Sequence, residues 1–430
     1  MERYLSVVKR INYIFFLVLM ASLPLPRKFG HIILIVWAVS WLLELRFTKK
    51  ENFCDWKALI PSLGLAAWVL WECVSILWGG HFRDCHASLL ILPLILAFGV
   101  NEQYQWKQAA KAVVIGSILS CFFYGFTLFG AINHRPVLDY YCQDSFTTFH
   151  LVWFDCFLSN IKHRFFYCTI LTVAIILLII LREDCWKRWG KIEGSIYLVL
   201  GCAIMLLAII ATGSRASLFT LIVLAAVFGI RQIPKRHHFW MSVGIGFCVL
   251  VGCVAIWHWH PRMQDITIEQ VIHPEQHVGE VNTHNPRALI WYYALQSPKD
   301  YIGHGLGVRQ AEKYLYDMYE QNNWDKGMFD HFHAHNQYLL VCMELGIVAM
   351  FLFIAYWICL PMCYPKRTRQ RNFVLYLALI FGLNMLTDSL FSSMEGVVYI
   401  CTLLVLASIL PTSTKGCESV SSVCPSPRLS

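Results

Sequence analysis

Apolar blocks close to 20 residues long recur along the whole chain and restrict its fold more than any other feature. The run from 194 to 230 is broken only at ATGSRAS, and ALIPSLGLAAWVLWE is one of many similar stretches. A helix rises about 1.5 Å per residue, so roughly 20 apolar residues cross about 30 Å of hydrocarbon. Only 14% of the residues are charged and 57% are hydrophobic, whereas a soluble domain carries about 25% charge. The expected fold class is an all-α polytopic membrane protein with about twelve transmembrane helices and a long helical periplasmic loop.

The expected spans are 11–26, 29–45, 57–78, 86–100, 112–132, 164–181, 194–211, 216–230, 239–257, 334–362, 373–388 and 393–410. The basic start MERYLSVVKR reads as a retained signal anchor rather than a cleaved leader, because many similar spans follow it. With the N-terminus in the cytoplasm, 22 of the 35 lysines and arginines fall on the inside, as the positive-inside rule requires. Both termini are then cytoplasmic. The domain reading is 1–257 for nine spans, 258–332 for an outer loop, 333–410 for three spans, and 411–430 for a polar, Ser-rich tail expected to be disordered.

The net charge of +8 follows from this loop bias and is no footprint for nucleic acid. The 17 cysteines include no CxxC pair, which removes a zinc or redox motif. Cys142 and Cys156 share one outer loop and are a candidate disulfide there. The outer loop 258–332 contains NPRALIWYYALQSP. This reads as a helix with Asn285 as N-cap, Pro286 in the first position and Ser297-Pro298 as the stop.

Three polar sites break the apolar pattern, all at the outer face. In TGSRAS, Ser214 is a natural N-cap and Arg215 falls in the first turn. Helix N-termini favour anions, and a guanidinium adds bidentate phosphate recognition. The alternative is an arginine snorkelling to lipid headgroups. Arg287 in NPRALIW has the same position in its helix, with a solvated loop arginine as the alternative.

The third site is HFHAHNQYLLVCMELG, with His331, His333 and His335 at alternate positions. On a strand the three would share a face and could hold a metal. The sequence reads as helix from Asn336 onward, and alternate helical residues point about 200° apart. Convergence on a metal is therefore not expected, and His335 is read singly, as a proton acceptor at a span end. Asp388, at the end of the eleventh span, would orient a cation or a hydroxyl. Glu72 and Glu344 lie within spans, and a structural pairing role is expected for each. Two cations and one histidine at one face fit transfer of a sugar from a diphosphate leaving group to a hydroxyl.

The order and spacing of ATGSRAS, PRALIW with GHGLGV, and HAHNQYLLVCMELGIV resemble the O-antigen ligase and polymerase superfamily of bacterial envelopes, over nearly the whole chain. The resemblance implies an inverting glycosyltransferase of the inner membrane, with its active site in the periplasm. It implies an undecaprenyl-diphosphate-linked glycan as donor, no metal or other cofactor, and, in the ligase branch, a lipid A core sugar as acceptor. Residue by residue it implies His335 as the base, Arg215 and Arg287 on the diphosphate and Asp388 in support, with His333 and Asn336 as neighbouring substrate contacts. The ligase branch is preferred on length and on the single dominant outer loop. The alternatives are a polymerase on the same donor and a non-enzymatic transporter of lipid-linked sugars.

Overall fold

The computed structural model describes residues 2–47, 56–77, 105–133, 163–212, 214–232, short pieces of 240–254, 268–278, 286–297, 304–329, 331–366 and 368–409. The expected span 86–100, the Cys142–Cys156 pair and the tail 411–430 lie outside the described residues. Every regular element among the described residues is helical. In chain order the helices are α1 (Glu2–Ser22), α2 (Arg27–Phe47), α3 (Trp56–Val74), α4 (Trp106–Asn133), α5 (Arg164–Ile180), α6 (Arg182–Trp189), α7 (Lys191–Ala211) and α8 (Arg215–Gln232). They continue as α9 (Ile268–Ile272), α10 (Pro286–Leu295), α11 (Gln310–Gln321), α12 (Asp325–Phe329), α13 (Gln337–Leu345), α14 (Ile347–Cys359), α15 (Arg369–Met385) and α16 (Met394–Ser408).

Two helices are long and apolar enough to cross a membrane, over Trp106–Phe126 and Lys191–Ala211. A third span results if the α5–α6 pair, bent by 55°, counts as one, and shorter apolar helices cover Leu63–Leu77, Ile347–Cys363 and Met394–Ser408. Much of this apolar surface faces outward. Ile192, Val199 and Leu207 on α7, like Ile32 and Ile35 on α2, are exposed. An exposed apolar surface of this extent needs a hydrocarbon solvent rather than water. These apolar helices point to a membrane protein.

The centre of the bundle is α5, buried continuously from Phe165 to Leu178. It carries no charged residue between Arg164 and Arg182, so it can be surrounded on all sides. Helix α16 is similarly buried from Glu395 to Ala407. The two meet at their N-terminal ends, where the rings of Phe166 and Tyr399 lie 6.0 Å apart, edge to face.

One expected span is two helices. The run 334–362 begins in an irregular segment, forms α13 from Gln337, and breaks at Gly346 before α14. Gly346 has φ 88, a left-handed region open to glycine at little steric cost. The GHGLGVR stretch closes over this break. The backbone N–H groups of Leu306 and Gly307 donate to the carbonyls of Met343 and Glu344, at 2.7 and 2.8 Å. Gly305, at φ 62, lies so close that a Cβ would come within 2.6 Å of the Glu344 backbone. The Glu344 carboxylate accepts the Arg309 backbone N–H at 2.7 Å, which is the structural pairing role expected of it. Glu72 accepts from the Trp68 indole at 2.9 Å.

The segment between α9 and α13 has a core of its own. Leu289, Ile290, Tyr293, Ala311, Leu315, Tyr319 and Trp324 pack together and against Leu340 and Met343 of α13. The helix expected around NPRALIWYYALQSP is present as α10. Helix α11 was not anticipated, although Ala311, Leu315 and Tyr319 carry the i, i+4, i+8 signature of a buried face.

Candidate active site

The segment 331–336 is not helical, and this changes the reading of the three histidines. His331 and His335 both adopt left-handed backbone conformations, at φ 50 and φ 46. Such backbone in a non-glycine residue costs of order 1–3 kcal/mol and persists only where its surroundings enforce it. The surroundings are α10 and α11. The Trp291 indole donates to the Ala334 carbonyl at 2.9 Å. Tyr319 and Tyr316 donate their hydroxyls to the carbonyls of Phe332 and His331, at 3.2 and 3.3 Å. Asn336 then caps α13, its Oδ1 accepting the Leu339 N–H at 3.1 Å, so its oxygen is committed to the helix end.

The chain reversal overturns the expectation that these histidines diverge. His333 and His335 lie with ring centroids 4.0 Å apart, and both face Asp388. His335 Nδ1 is 3.4 Å from Asp388 Oδ1, and His333 Nε2 is 3.9 Å from the same oxygen. His331 stays outside the group, exposed, with its ring 5.4 Å from that of Tyr316. The helix geometry invoked from the sequence applies only from Gln337 onward.

Hydrogen bonding fixes the tautomers. The His335 backbone N–H donates to His333 Nδ1 at 3.2 Å, so that nitrogen carries the lone pair and Nε2 carries the proton facing Asp388. In His335 the nitrogen facing the carboxylate is Nδ1, which donates. Its Nε2 is left with a lone pair and has no other hydrogen bond among the described residues. A carboxylate orienting one ring nitrogen so that the other can take a proton is the arrangement of a general base.

Asp388 is itself held rigidly. Helix α15 ends at Met385, so Asp388 lies beyond it, in a turn whose Asp388 N–H donates to the Asn384 carbonyl at 3.2 Å. Asp388 Oδ1 also accepts the Ser389 N–H at 2.9 Å. The Phe391 N–H donates to Gln337 Oε1 at 2.8 Å, which ties this turn to the start of α13. Burial alone would raise the Asp388 carboxyl, but the His335 hydrogen bond and the nearby His335, His163 and Arg287 outweigh it and hold it well below the usual carboxylate range. Burial, aided by His335, pushes His333 down to about 4 against the pull of Asp388. The group at neutral pH is therefore one carboxylate with a neutral His333.

Arg287 enters from α10. Trp291, one turn further on and on the same helical face, is bonded to the carbonyl between the two histidines, so Arg287 is presented to the same place. Burial lowers its basicity, Asp388 opposes this, and Arg164 adds to it. The Arg287 guanidinium makes no hydrogen bond or ion pair among the described residues.

Arg215 is the first residue of α8, with the Ser214 hydroxyl directed to that of Ser217 at 3.1 Å. Lower down, α8 and α15 touch through Thr220 and Asn384, 3.5 Å apart. Arg215 lies five residues from that contact and Asp388 four, both toward the same end, or about 6–8 Å along the axis in each case. Arg215 thus stands at the level of the His–Asp group.

Sequence reasoning missed His163, Arg164, Gln337 and Glu395. Arg164 acts on Arg287, and His163 on both His333 and Asp388. Glu395, in the first turn of α16, accepts the Tyr399 hydroxyl at 2.7 Å. A charged pair opening an apolar span, His163-Arg164, was the available signal.

One ligand atom each from His333, His335 and Asp388 falls within 4.8 Å of the others, a set able to hold a divalent cation. The guanidinium charge of Arg287 opposes a cation at that point. The same charge favours an anion beside the base, with a hydroxyl to be deprotonated between them.

No curated protein matches the chain. Residues 200–354 match the family model described as O-antigen ligase, a stretch that contains Arg215, Arg287, His333, His335 and Asn336. That match, over about a third of the chain, supports an O-antigen ligase family assignment.

Proposed function

We propose that the chain is an O-antigen ligase that transfers a glycan from undecaprenyl diphosphate to a sugar hydroxyl of the lipid A core. The family supports an O-antigen ligase or polymerase type of activity and a glycosyltransferase-like enzyme; the donor, acceptor and residue roles are the present reading. In this reading the helices cross the bacterial inner membrane about twelve times, with both termini in the cytoplasm and the site in the periplasm. Membrane lipid surrounds the bundle and admits the polyprenyl tail of the donor.

The observation that carries the reading is the His335–Asp388 pair at 3.4 Å beside the guanidinium of Arg287. His335 Nε2 takes the proton of the acceptor hydroxyl. The acceptor oxygen attacks the anomeric carbon from the face opposite the diphosphate, forming the new glycosidic bond as the old carbon–oxygen bond breaks. The electron pair leaves with undecaprenyl diphosphate, whose charge Arg287 and Arg215 neutralise. Inversion at the anomeric carbon follows from the single displacement. His333 and Asn336 border the acceptor side.

His335→Ala should lower transfer by roughly 10²–10⁴-fold while the protein remains inserted and expressed, read as loss of the lipopolysaccharide ladder on gels. A wild-type ladder from that variant would remove the base. Ligase and polymerase differ in what accumulates on deletion, polymerised chains on the lipid carrier for the first and single repeat units for the second. A transporter would instead move lipid-linked sugar across vesicles without forming product.

A further inference from the structure

His333, His335 and Asp388 have a second property besides the handling of a proton. One ligand atom from each lies within 4.8 Å of the others, and among the described residues no other trio of His, Cys, Asp or Glu is so placed. His335 Nδ1 is 3.4 Å and His333 Nε2 3.9 Å from the same carboxylate oxygen, Asp388 Oδ1. Around a tetrahedral zinc ion with ligands at about 2.0–2.2 Å, neighbouring ligand atoms are about 3.3–3.6 Å apart. The first separation already fits, and a small rotation of the His333 ring closes the second.

The three ligands are fixed before any ion arrives. The left-handed backbone at His335, φ 46, turns its ring toward that of His333. The Trp291 indole holds the carbonyl between the two histidines, and the Ser389 N–H holds Asp388 Oδ1. Access is from the histidine side, because the His333 and His335 side chains are 28% and 20% exposed and that of Asp388 only 7%. An entering ion meets two imidazoles with one buried carboxylate behind them. Two imidazoles and a carboxylate with a fourth position left open suit zinc, whereas magnesium and calcium require mostly oxygen ligands. Arg287 lowers the affinity by its charge, and the carboxylate among the ligands offsets it.

We propose that His333, His335 and Asp388 form an inhibitory site for a zinc-type divalent cation, which switches off the base. The inhibition rests on the base role of His335 given under Proposed function; the binding does not. A cation on His335 Nδ1 takes the lone pair of that nitrogen, so the ring proton moves to Nε2 by exchange with water. Nε2 then donates and no longer accepts the proton of the acceptor hydroxyl. His333 shifts its proton from Nε2 to Nδ1 in the same way and gives up the bond from the His335 N–H. Two neutral imidazoles remain neutral, no net proton is released, and removal of the ion restores the base.

The test uses the full chain in detergent, stripped with a chelator, with Zn2+ as the ion and Co2+ as its spectroscopic stand-in. The chain carries 17 histidines and 17 cysteines, so the site is read from the wild-type minus His333→Gln difference spectrum. That difference should show visible d–d bands of bound Co2+ without a thiolate charge-transfer band. Zn2+ should reversibly inhibit glycan transfer in proteoliposomes, while Mg2+ at the same concentration does not. His333→Gln should raise the Zn2+ concentration that halves its remaining activity by at least about 10-fold. His333→Cys should keep the ion and add a thiolate-to-cobalt charge-transfer band, a gain that a misfolded chain does not give. Identical cobalt spectra and Zn2+ inhibition in His333→Gln and the wild type, or no response to either ion, overturn the site and leave the base reading standing. Zn2+ bound through these residues with transfer unimpaired overturns the inhibition and the base role of His335 together.

Discussion

The two ends of the helical bundle handle charge in opposite ways. At the end where α6 lies, several cations meet partners across helices. Lys107 meets Asp184 and Arg369 meets Glu183, both at 2.8 Å, and Arg231 donates to Asn372 at 2.8 Å. At the other end His333, His335, His163 and Arg287 gather around Asp388, whose oxygen is occupied by histidine and backbone. Exposed pairs that cancel each other hold helices in place and do little more. At the second end the carboxylate is buried and shared between two histidines, so its charge is tied to a group that can move a proton. The contrast is between exposed pairs that hold helices together and a buried group with its own chemistry.

Asp388→Asn offers the sharpest break. It keeps the shape of the side chain and removes the charge that orients His335, and a group supporting a reactive residue in this way is worth about 10–100-fold. Initial rates of glycan transfer in proteoliposomes should fall by that factor, and an unchanged rate would mean that the 3.4 Å contact has no catalytic role.

Arg287→Lys comes next. It preserves the charge but not the fork, so the apparent KM for lipid-linked donor should rise about 10-fold with a smaller change in kcat. An unaltered KM would argue that the guanidinium faces something other than the donor.

The pH dependence of stability sharpens the comparison further. His333 is held at about 4 in the folded chain, below an ordinary histidine value near 6.5. Between these values the unfolded chain binds more protons than the folded one, so stability rises with pH. The stabilisation is fully present above about 6.5 and is lost as the pH falls toward 4. The depressed Asp388 carboxyl adds a loss of the same sign at lower pH. Thermal denaturation in detergent should show Tm falling across that window, and His333→Gln should flatten the slope. A Tm independent of pH there would place His333 in contact with bulk water.

The smallest effects belong to the paired end. Lys107→Ala or Arg369→Ala should cost no more than about 1 kcal/mol, with transfer rates near wild type. Lys107 is 46% exposed and Arg369 55% exposed, so water takes the place of the lost partner. A large loss of activity in either variant would dissolve the distinction between the two ends.

Several helix starts in the candidate site were legible before any coordinates. Arg215 and Arg287 follow Ser and Pro in short helix-start signals, and a helix start is a local property of the chain. The helix from Asn336 and the ends of α7 and α8 were readable for the same reason. The breaks at Gly346 and around His331–His335 were not, because left-handed histidines are enforced by Trp291, Tyr316 and Tyr319, which are distant in sequence. Arg164 looked like the edge of a span, because nothing in its own stretch of sequence shows that it lies near Arg287.

By itself the sequence determined a helical, apolar chain, the positions at which several helices begin, and the residue types available at those beginnings. These follow from side-chain solvation and from hydrogen bonds made within a few residues. Only the tertiary structure decided which helix ends meet, that His333 turns back beside His335, and that Asp388, 53 residues further on, supplies the orienting carboxylate. Those outcomes depend on packing between segments far apart in the chain, and such packing selects among local conformations that are nearly equal in energy.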